Sequence, residues 1–291
     1  MSTISKEDRS MIMRNDADRQ WPDRYGPWAV VTGASDGIGR EIVRDLAQRG
    51  LNVVLVARRG ELLDQIATEV RQLYSIETRV IVADLGKAED VEQALLECED
   101  LNVGLFVASA GFGTAGNFLA TDVDDEIDML DVNCRAVLVM AKDFSARFAM
   151  RKKGGLIFFG SIVGFQGVGD AAHYAATKAY IQTLAEGLAI DLKPFGIDVL
   201  SCAPGPVETG FATRSNLSPA KSADPRSVAR ETIAALGRKT TVKPGILSKV
   251  LINSLATLPR FVRTMILSAI MASRTKHHDG SKAQNRPKQS A

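Results

Sequence analysis

Val30-Val31-Thr32-Gly33-Ala34-Ser35-Asp36-Gly37-Ile38-Gly39 is the stretch on which the reading of this chain turns. β-Branched residues end a buried strand, and three glycines, at spacings of four and two, follow at once. Glycine lets a backbone turn tightly and approach a ligand with no Cβ in the way. The helix expected next begins with N–H groups that lack partners within the helix and with a partial positive charge. A strand, a glycine turn and a helix N-terminus in this order suit a pyrophosphate. Gly33, Ser35, Asp36, Gly37, Ile38 and Gly39 therefore form a candidate dinucleotide cradle.

Outward from this turn, apolar β-branched runs at 29–32, 53–57, 79–83, 105–108, 156–159 and 199–203 alternate with amphipathic segments at 37–49, 61–74, 88–98, 124–150 and 171–193. Pro194 and Gly196 stop the last of these, and 240–242 reads as a short seventh strand. Several runs lack polar alternation, as strands covered on both faces require. The expected fold is α/β: a Rossmann-like, doubly wound parallel sheet in three α/β/α layers, followed by a C-terminal amphipathic helical extension. No repeat or low-complexity linker divides 26–243, which reads as one dinucleotide-binding and catalytic domain. Flanking it are a flexible arm at 1–25, a basic amphipathic extension at 244–274 and a disordered tail at 275–291.

Composition removes other classes. With 291 residues and 45% hydrophobic content the chain can bury one ordinary core, and 24% charged residues with a net charge of +2 fit neither a disordered chain nor a globally basic nucleic-acid binder. Three histidines and the scattered Cys98, Cys134 and Cys202 provide no C-x-x-C or H-x-x-x-H, so no metal site is expected. Sparse cysteines and an N-terminus carrying Lys6, Glu7, Asp8 and Arg9 without an apolar run point to a reducing, cytoplasmic setting.

The end of the second strand reads Val56-Ala57-Arg58-Arg59, where an NAD site usually has a carboxylate for the ribose 2′-hydroxyl. Arg58, with Arg59 and Ser35 near it, suits a 2′-phosphate instead, so NADP(H) is expected in preference to NAD(H). Paired arginines also cap ordinary solvated loops, which is the plainer alternative. Tyr174 and Lys178 lie four apart on an expected helix, on one face and within mutual reach. An ammonium beside a phenol favours phenolate and moves its titration towards working pH, as a general acid/base needs. Ser161, just past the strand 156–159, lies at the sheet edge where open α/β folds bind ligands, placed to donate to a carbonyl. Asn133 offers a buried amide for a water leading from Lys178, or else a polar helix position satisfied by backbone.

Together, Thr32-Gly33-x-x-x-Gly37-x-Gly39, Asp84-Leu85, Asn133, Ser161, Tyr174-x-x-x-Lys178 and Pro204-Gly205-Pro206-Val207-Glu208-Thr209 resemble, in order and spacing, the classical short-chain dehydrogenase/reductase family over about 28–242. The resemblance implies that Tyr174 donates the proton in carbonyl reduction, Lys178 binds the nicotinamide ribose and lowers the tyrosine pKa, Ser161 orients the carbonyl and Asn133 holds a relay water. It further implies that Asp84, with Leu85 beside it, meets adenine, that Ala110-Gly111 runs beside the adenosine ribose, and that Pro204, Gly205, Val207 and Thr209 pack along the nicotinamide. One departure is Ser109-Ala110-Gly111, where the family has Asn-Ala-Gly; a small effect on stability is expected. Related enzymes pair their two long helices in a homodimer or homotetramer, with Cys134, Ala136, Val137, Met140 and Phe144 as candidate contacts here.

Two other classes fit parts of the chain: a serine hydrolase built on Ser161 and His173, which lacks the G-x-S-x-G elbow, and a nucleotide-binding regulator without turnover, which predicts damaged catalytic positions. From Gly237 onward eleven Lys/Arg face one acid, Asp279, leaving about −8 on the rest. Apolar residues recur there at helical spacing, divided by Pro259 and too interrupted to span a membrane. This extension reads as packing over the substrate cleft or a partner subunit, as a peripheral contact with anionic lipid, or as a nucleic-acid arm, the last disfavoured for want of stacking aromatics. Phe112, Phe165, Val168 and Phe211 offer an apolar surface beside Ser161 and Tyr174, so a hydrophobic carbonyl (steroid, retinoid or 3-oxoacyl) is expected over a sugar.

Overall fold

In the computed structural model, the residues described are 21–208, 222–245, 248–249, 254–255 and 257–275. Seven parallel strands form one sheet: β1 (Trp28–Thr32), β2 (Asn52–Ala57), β3 (Thr78–Val82), β4 (Val103–Ala108), β5 (Gly154–Phe159), β6 (Ile197–Cys202) and β7 (Thr241–Val242). Their order is β3-β2-β1-β4-β5-β6-β7, so the chain winds out from β1, crosses back to β4 and winds out the other way. This is the doubly wound arrangement expected from the strand runs, and it places the switch point beyond the carboxyl ends of the paired β1 and β4, where their connections leave in opposite directions.

Alternate residues of each strand face opposite layers. Val31, Leu55, Val107 and Ile157 face a layer with α2 (Gly37–Gln48), α3 (Gly60–Tyr74) and α8 (Pro225–Ala235). Val30, Val54, Phe106 and Phe158 face α4 (Ala88–Leu96), α6 (Ala136–Arg151) and α7 (Ala172–Asp191). Burial on both faces explains the unbroken apolar character of β4 and β5.

Two expectations change. Trp21–Tyr25, assigned to the flexible arm at 1–25, forms a helical turn, α1, whose Tyr25 is buried in the core. Tyr25 Oη donates to Asp198 Oδ2 at 2.6 Å, and Arg24 Nη2 lies 2.5 Å from the same oxygen. The single helix expected at 124–150 is instead α5 (Val123–Leu130), a π-helical turn at Asp131–Arg135 and then α6. A π turn inserts a residue and rotates everything after it relative to a regular helix. Ala136, Val137, Met140 and Phe144, expected at a subunit contact, accordingly face the sheet, and Cys134 is buried as well. Val123, Ile127, Leu130, Leu138, Val139 and Met150 are the exposed large apolar residues of these helices.

The extension contains α9 (Arg260–Thr275), which begins directly after Pro259 as its role of divider predicts. Leu267 and Met271 on its buried side pack with Ile162, Val163 and Val168, next to the tyrosine helix. The described part of the extension thus packs within this chain. Among the described residues no helix is long and apolar enough to cross a membrane, and no cluster of three or more His, Cys, Asp or Glu could hold a metal.

Candidate active site

The cradle forms at the C-terminal end of β1. Gly33 takes φ +67°, and a Cβ there would sit 2.8 Å from the Ala110 backbone, so only glycine lets the two loops close on each other. Asp36 caps α2, its Oδ1 accepting from Gly37 N at 2.7 Å. The loops are joined by Thr32, whose Oγ1 accepts from Ser109 N and Ala110 N, both at 3.1 Å. The motif names this threonine without a role; it ties β1 to β4 at the position where Ser109 departs from the family pattern.

At the end of β2 the basic pair divides its work. Arg59 Nη2 donates to Ser35 Oγ at 3.0 Å and lies 3.7 Å from Asp36 Oδ2, while Arg58 Nη1 lies 3.9 Å from Asp84 Oδ2. Arg59, not Arg58, therefore holds the Ser35 hydroxyl. Asp84 also accepts from Gly86 N at 3.2 Å, and Leu85 beside it is buried. A glycine turn closed to any side chain, a helix N-terminus and two guanidinium groups fit a phosphorylated dinucleotide.

Tyr174 and Lys178 project from the first turns of α7. The Tyr174 hydroxyl hydrogen-bonds Ser161, which favours phenolate, but burial outweighs that and pushes the phenol up to about 12. Burial also brings the Lys178 ammonium down to about 8; its Nζ donates to Phe159 O at 2.9 Å and lies 5.8 Å from the Tyr174 ring centre. Tyrosine, lysine and serine thus come together from α7 and the end of β5.

Asn133 sits in the π turn. Its Nδ2 donates to Phe112 O at 2.8 Å and Thr177 Oγ1 at 3.1 Å, and its Oδ1 accepts from Phe112 N at 3.1 Å. The amide therefore fastens the Gly111-Phe112 loop to the tyrosine helix. A Cβ at Gly111 would lie 2.9 Å from Asn133 Oδ1 and 3.3 Å from Lys178 Nζ, which puts that loop against both residues. Thr177, unremarked in sequence, completes the link by donating to Tyr174 O at 2.9 Å.

His173, the base of the hydrolase alternative, has its Nδ1 2.6 Å from Glu126 Oε2, while Thr114 Oγ1 donates to Glu126 Oε1 at 2.7 Å. Nδ1 is thus committed to a carboxylate, and the Ser161 hydroxyl is bonded to Tyr174. Pro204 and Gly205 follow β6, with Pro204 O accepting from Ile162 N at 3.1 Å, and Val207 bridges to Ala223. Among the apolar candidates Phe112 and Val168 are buried, Phe165 packs beside Val168, and Lys243 Nζ lies 5.4 Å from the Phe165 ring centre. Thr209 and Phe211 lie outside the described residues.

The sequence model of the short chain dehydrogenases matches residues 27–219, which include the cradle and the Tyr174–Lys178 pair. The chain belongs to that family. It is similar to a 7beta-hydroxysteroid dehydrogenase from Clostridium sardiniense, 30% identical over 231 residues covering 78% of this chain and 88% of the relative. It is also similar to a very-long-chain 3-oxoacyl-CoA reductase from Anas platyrhynchos, 35% identical over 217 residues covering 73% and 69%. A solved structure from a study of 7beta-hydroxysteroid dehydrogenase stereoselectivity superposes with a TM-score of 0.79 at 26% identity, covering 84% of this chain and 98% of that one. The protein is an oxidoreductase of this family, with a nucleotide cofactor site.

Proposed function

We propose that this short-chain dehydrogenase interconverts a bulky apolar ketone and its secondary alcohol, using NADP(H) in preference to NAD(H). The observation that carries the chemistry is the Tyr174 hydroxyl, bonded to Ser161 and set on the helix face of Lys178. NADP(H) supplies or accepts the hydride at the carbonyl carbon when bound. Ser161 donates to the carbonyl oxygen and orients it. Tyr174, kept protonated by burial, passes its phenolic proton to that oxygen as the alcohol forms. Lys178 holds the nicotinamide ribose, and its charge stabilises the phenolate left behind. The second lone pair of Asn133 Oδ1 accepts from the water that reprotonates the site, since Phe112 N uses only one.

Arg59, Ser35 and Arg58 support the preference for a 2′-phosphate, with Asp84 and Leu85 at the adenine side and Pro204 to Val207 along the nicotinamide. Relatives that act on hydroxysteroids and long 3-oxoacyl chains, by their names, and the apolar surroundings of Tyr174 support a bulky apolar substrate. The exposed Ile127, Leu130, Leu138 and Val139 suit a homo-oligomer contact. A peripheral contact with anionic lipid and a cytoplasmic location remain parts of this reading, resting on the basic extension and on the sparse cysteines. The test is Tyr174→Phe: turnover of ketones with NADPH should fall about a hundredfold or more, while NADPH affinity stays within about twofold. Near-normal turnover would refute the assignment.

A further inference from the structure

The segment after β7 is fastened to two different loops of the site, each time by a serine that accepts a backbone N–H. Ser248 Oγ accepts from Gly205 N at 3.0 Å, on the loop after β6. Ser268 Oγ accepts from Gly169 N at 2.7 Å, on the loop that leads into α7. The Ser268 proton is donated along its own helix to Thr264 O at 2.7 Å, which leaves its lone pairs turned to Gly169. Both serines meet a glycine: a Cβ at Gly205 would lie 2.6 Å from Ser248 Oγ, and one at Gly169 would lie 3.3 Å from Ser268.

Each end of the segment has its own anchor. Near its start, Glu231 of α8 accepts from Gly245 N at 3.2 Å and pairs with Lys249 Nζ at 2.8 Å. At its end, Thr275 Oγ1 donates to Asp170 Oδ2 at 3.2 Å, and Asp170 O accepts from Gly116 N, on the loop after β4, at 2.8 Å. Between these anchors Leu255, Leu267 and Met271 are buried in one cluster with Val168 and Ala175, and Tyr174, Phe165, Leu258 and Ile266 pack against it. The described part of the extension therefore shares one apolar cluster with the residue assigned the proton transfer.

We propose that the C-terminal extension is the specificity wall of the site, clasped to the cofactor-side loop by Ser248 and to the substrate-side loop by Ser268, with Leu267 and Met271 selecting a bulky apolar carbonyl. This rests on the carbonyl-reductase reading and deepens it. A fused-ring ketone gains contact with such a wall that a three-carbon ketone does not. Loosening either clasp lets the wall recede, so discrimination by size falls before chemistry does.

The experiment uses the full chain with NADPH and compares kcat/KM for 2-decalone with that for acetone. In Leu267→Ala and Met271→Ala the ratio should fall about tenfold, the scale set by losing a few methylenes from an apolar pocket. Ser268→Ala should lower it about threefold by freeing Gly169, and Ser268→Thr, which keeps the hydroxyl, should restore it. An equal loss on both ketones, or a ratio unmoved in variants that melt as the wild type does, would overturn the proposal. Where Met271→Ala fails to fold, Ser268→Ala decides: a ratio within twofold of wild type in that variant would overturn the proposal. Calorimetric binding of 2-decalone separates this from the parent reading. A wild type that binds the ketone through Met271 and Ser268 without reducing it would refute the reductase and keep the wall. Binding unchanged in every variant would refute the wall.

Discussion

Arg59→Ala tests the cofactor assignment most directly, because the structure defines what the guanidinium holds before any nucleotide arrives. Its Nη2 donates to Ser35 Oγ at 3.0 Å and lies 3.7 Å from the Asp36 carboxylate, so it both orients a hydroxyl and masks a negative charge. A 2′-phosphate at Ser35 would take over these donors. A hydrogen bond to a charged partner contributes about 1.5–3 kcal/mol, and the 55% exposure of the Arg59 side chain places it at the lower end. Removing the arginine also leaves Asp36 to repel the phosphate, for a total loss of about 2 kcal/mol. NADPH affinity should fall about thirtyfold. NADH, which has no 2′-phosphate, should change by less than about twofold. The assay is fluorescence titration of both cofactors at low and at physiological ionic strength, and the NADPH loss should shrink with salt. Equal weakening of both cofactors, or NADPH affinity untouched, would refute the assignment of Ser35 and Arg59 to the phosphate.

Lys178→Met should stabilise the cofactor-free protein while abolishing turnover. Burial takes the Lys178 ammonium from 10.5 to about 8, a penalty worth about 3 kcal/mol. Loss of its bond to Phe159 O returns part of that, for a net gain of about 2 kcal/mol at pH 7. The sign follows from proton binding: between about 8 and 10.5 the unfolded lysine holds a proton that the folded one has lost, so wild-type stability rises with pH there. The advantage of methionine should fade across that window, and urea unfolding at several pH values reads it. Tyr25→Phe should cost about 1–2 kcal/mol in the same measurement by leaving Asp198 with Arg24 alone. Glu126→Ala should loosen the loop carrying Thr114 from the helix carrying His173; KM for ketone should rise about fivefold, and Glu126→Gln, which still accepts from Thr114, should recover most of it.

The interactions that the sequence alone determined are the local ones. A β-branched run ending at Thr32 and glycines at 33, 37 and 39 have few ways to fold other than strand, tight turn and helix, so the cradle is written in ten consecutive residues. Central strands buried on both faces announce themselves by continuous apolar character, and the alternation of strand runs with helical segments leaves a parallel doubly wound sheet. Tyr174 and Lys178 are one helical turn apart, so their neighbourhood follows from helix geometry. Ser161 was legible because a serine just beyond a buried strand lies at the sheet edge where ligands bind.

Tertiary structure decided whatever depended on partners far away in the chain. Asp198 is 173 residues from Tyr25, and nothing near Trp21–Tyr25 foretells the carboxylate that docks it. The π turn at Asp131–Arg135 is stabilised by Asn133 reaching Phe112 and Thr177, long-range contacts that helical periodicity does not encode. Between Arg58 and Arg59, adjacent and chemically identical, only the path of the chain could assign the Ser35 hydroxyl. An amphipathic stripe states that a face must be covered and not by what, so the extension stayed open among protein, lipid and nucleic acid. Leu267 and Met271 pack on protein because Ile162, Val163 and Val168 present an apolar surface beside the tyrosine helix, and Ser268 accepts the backbone N–H of Gly169.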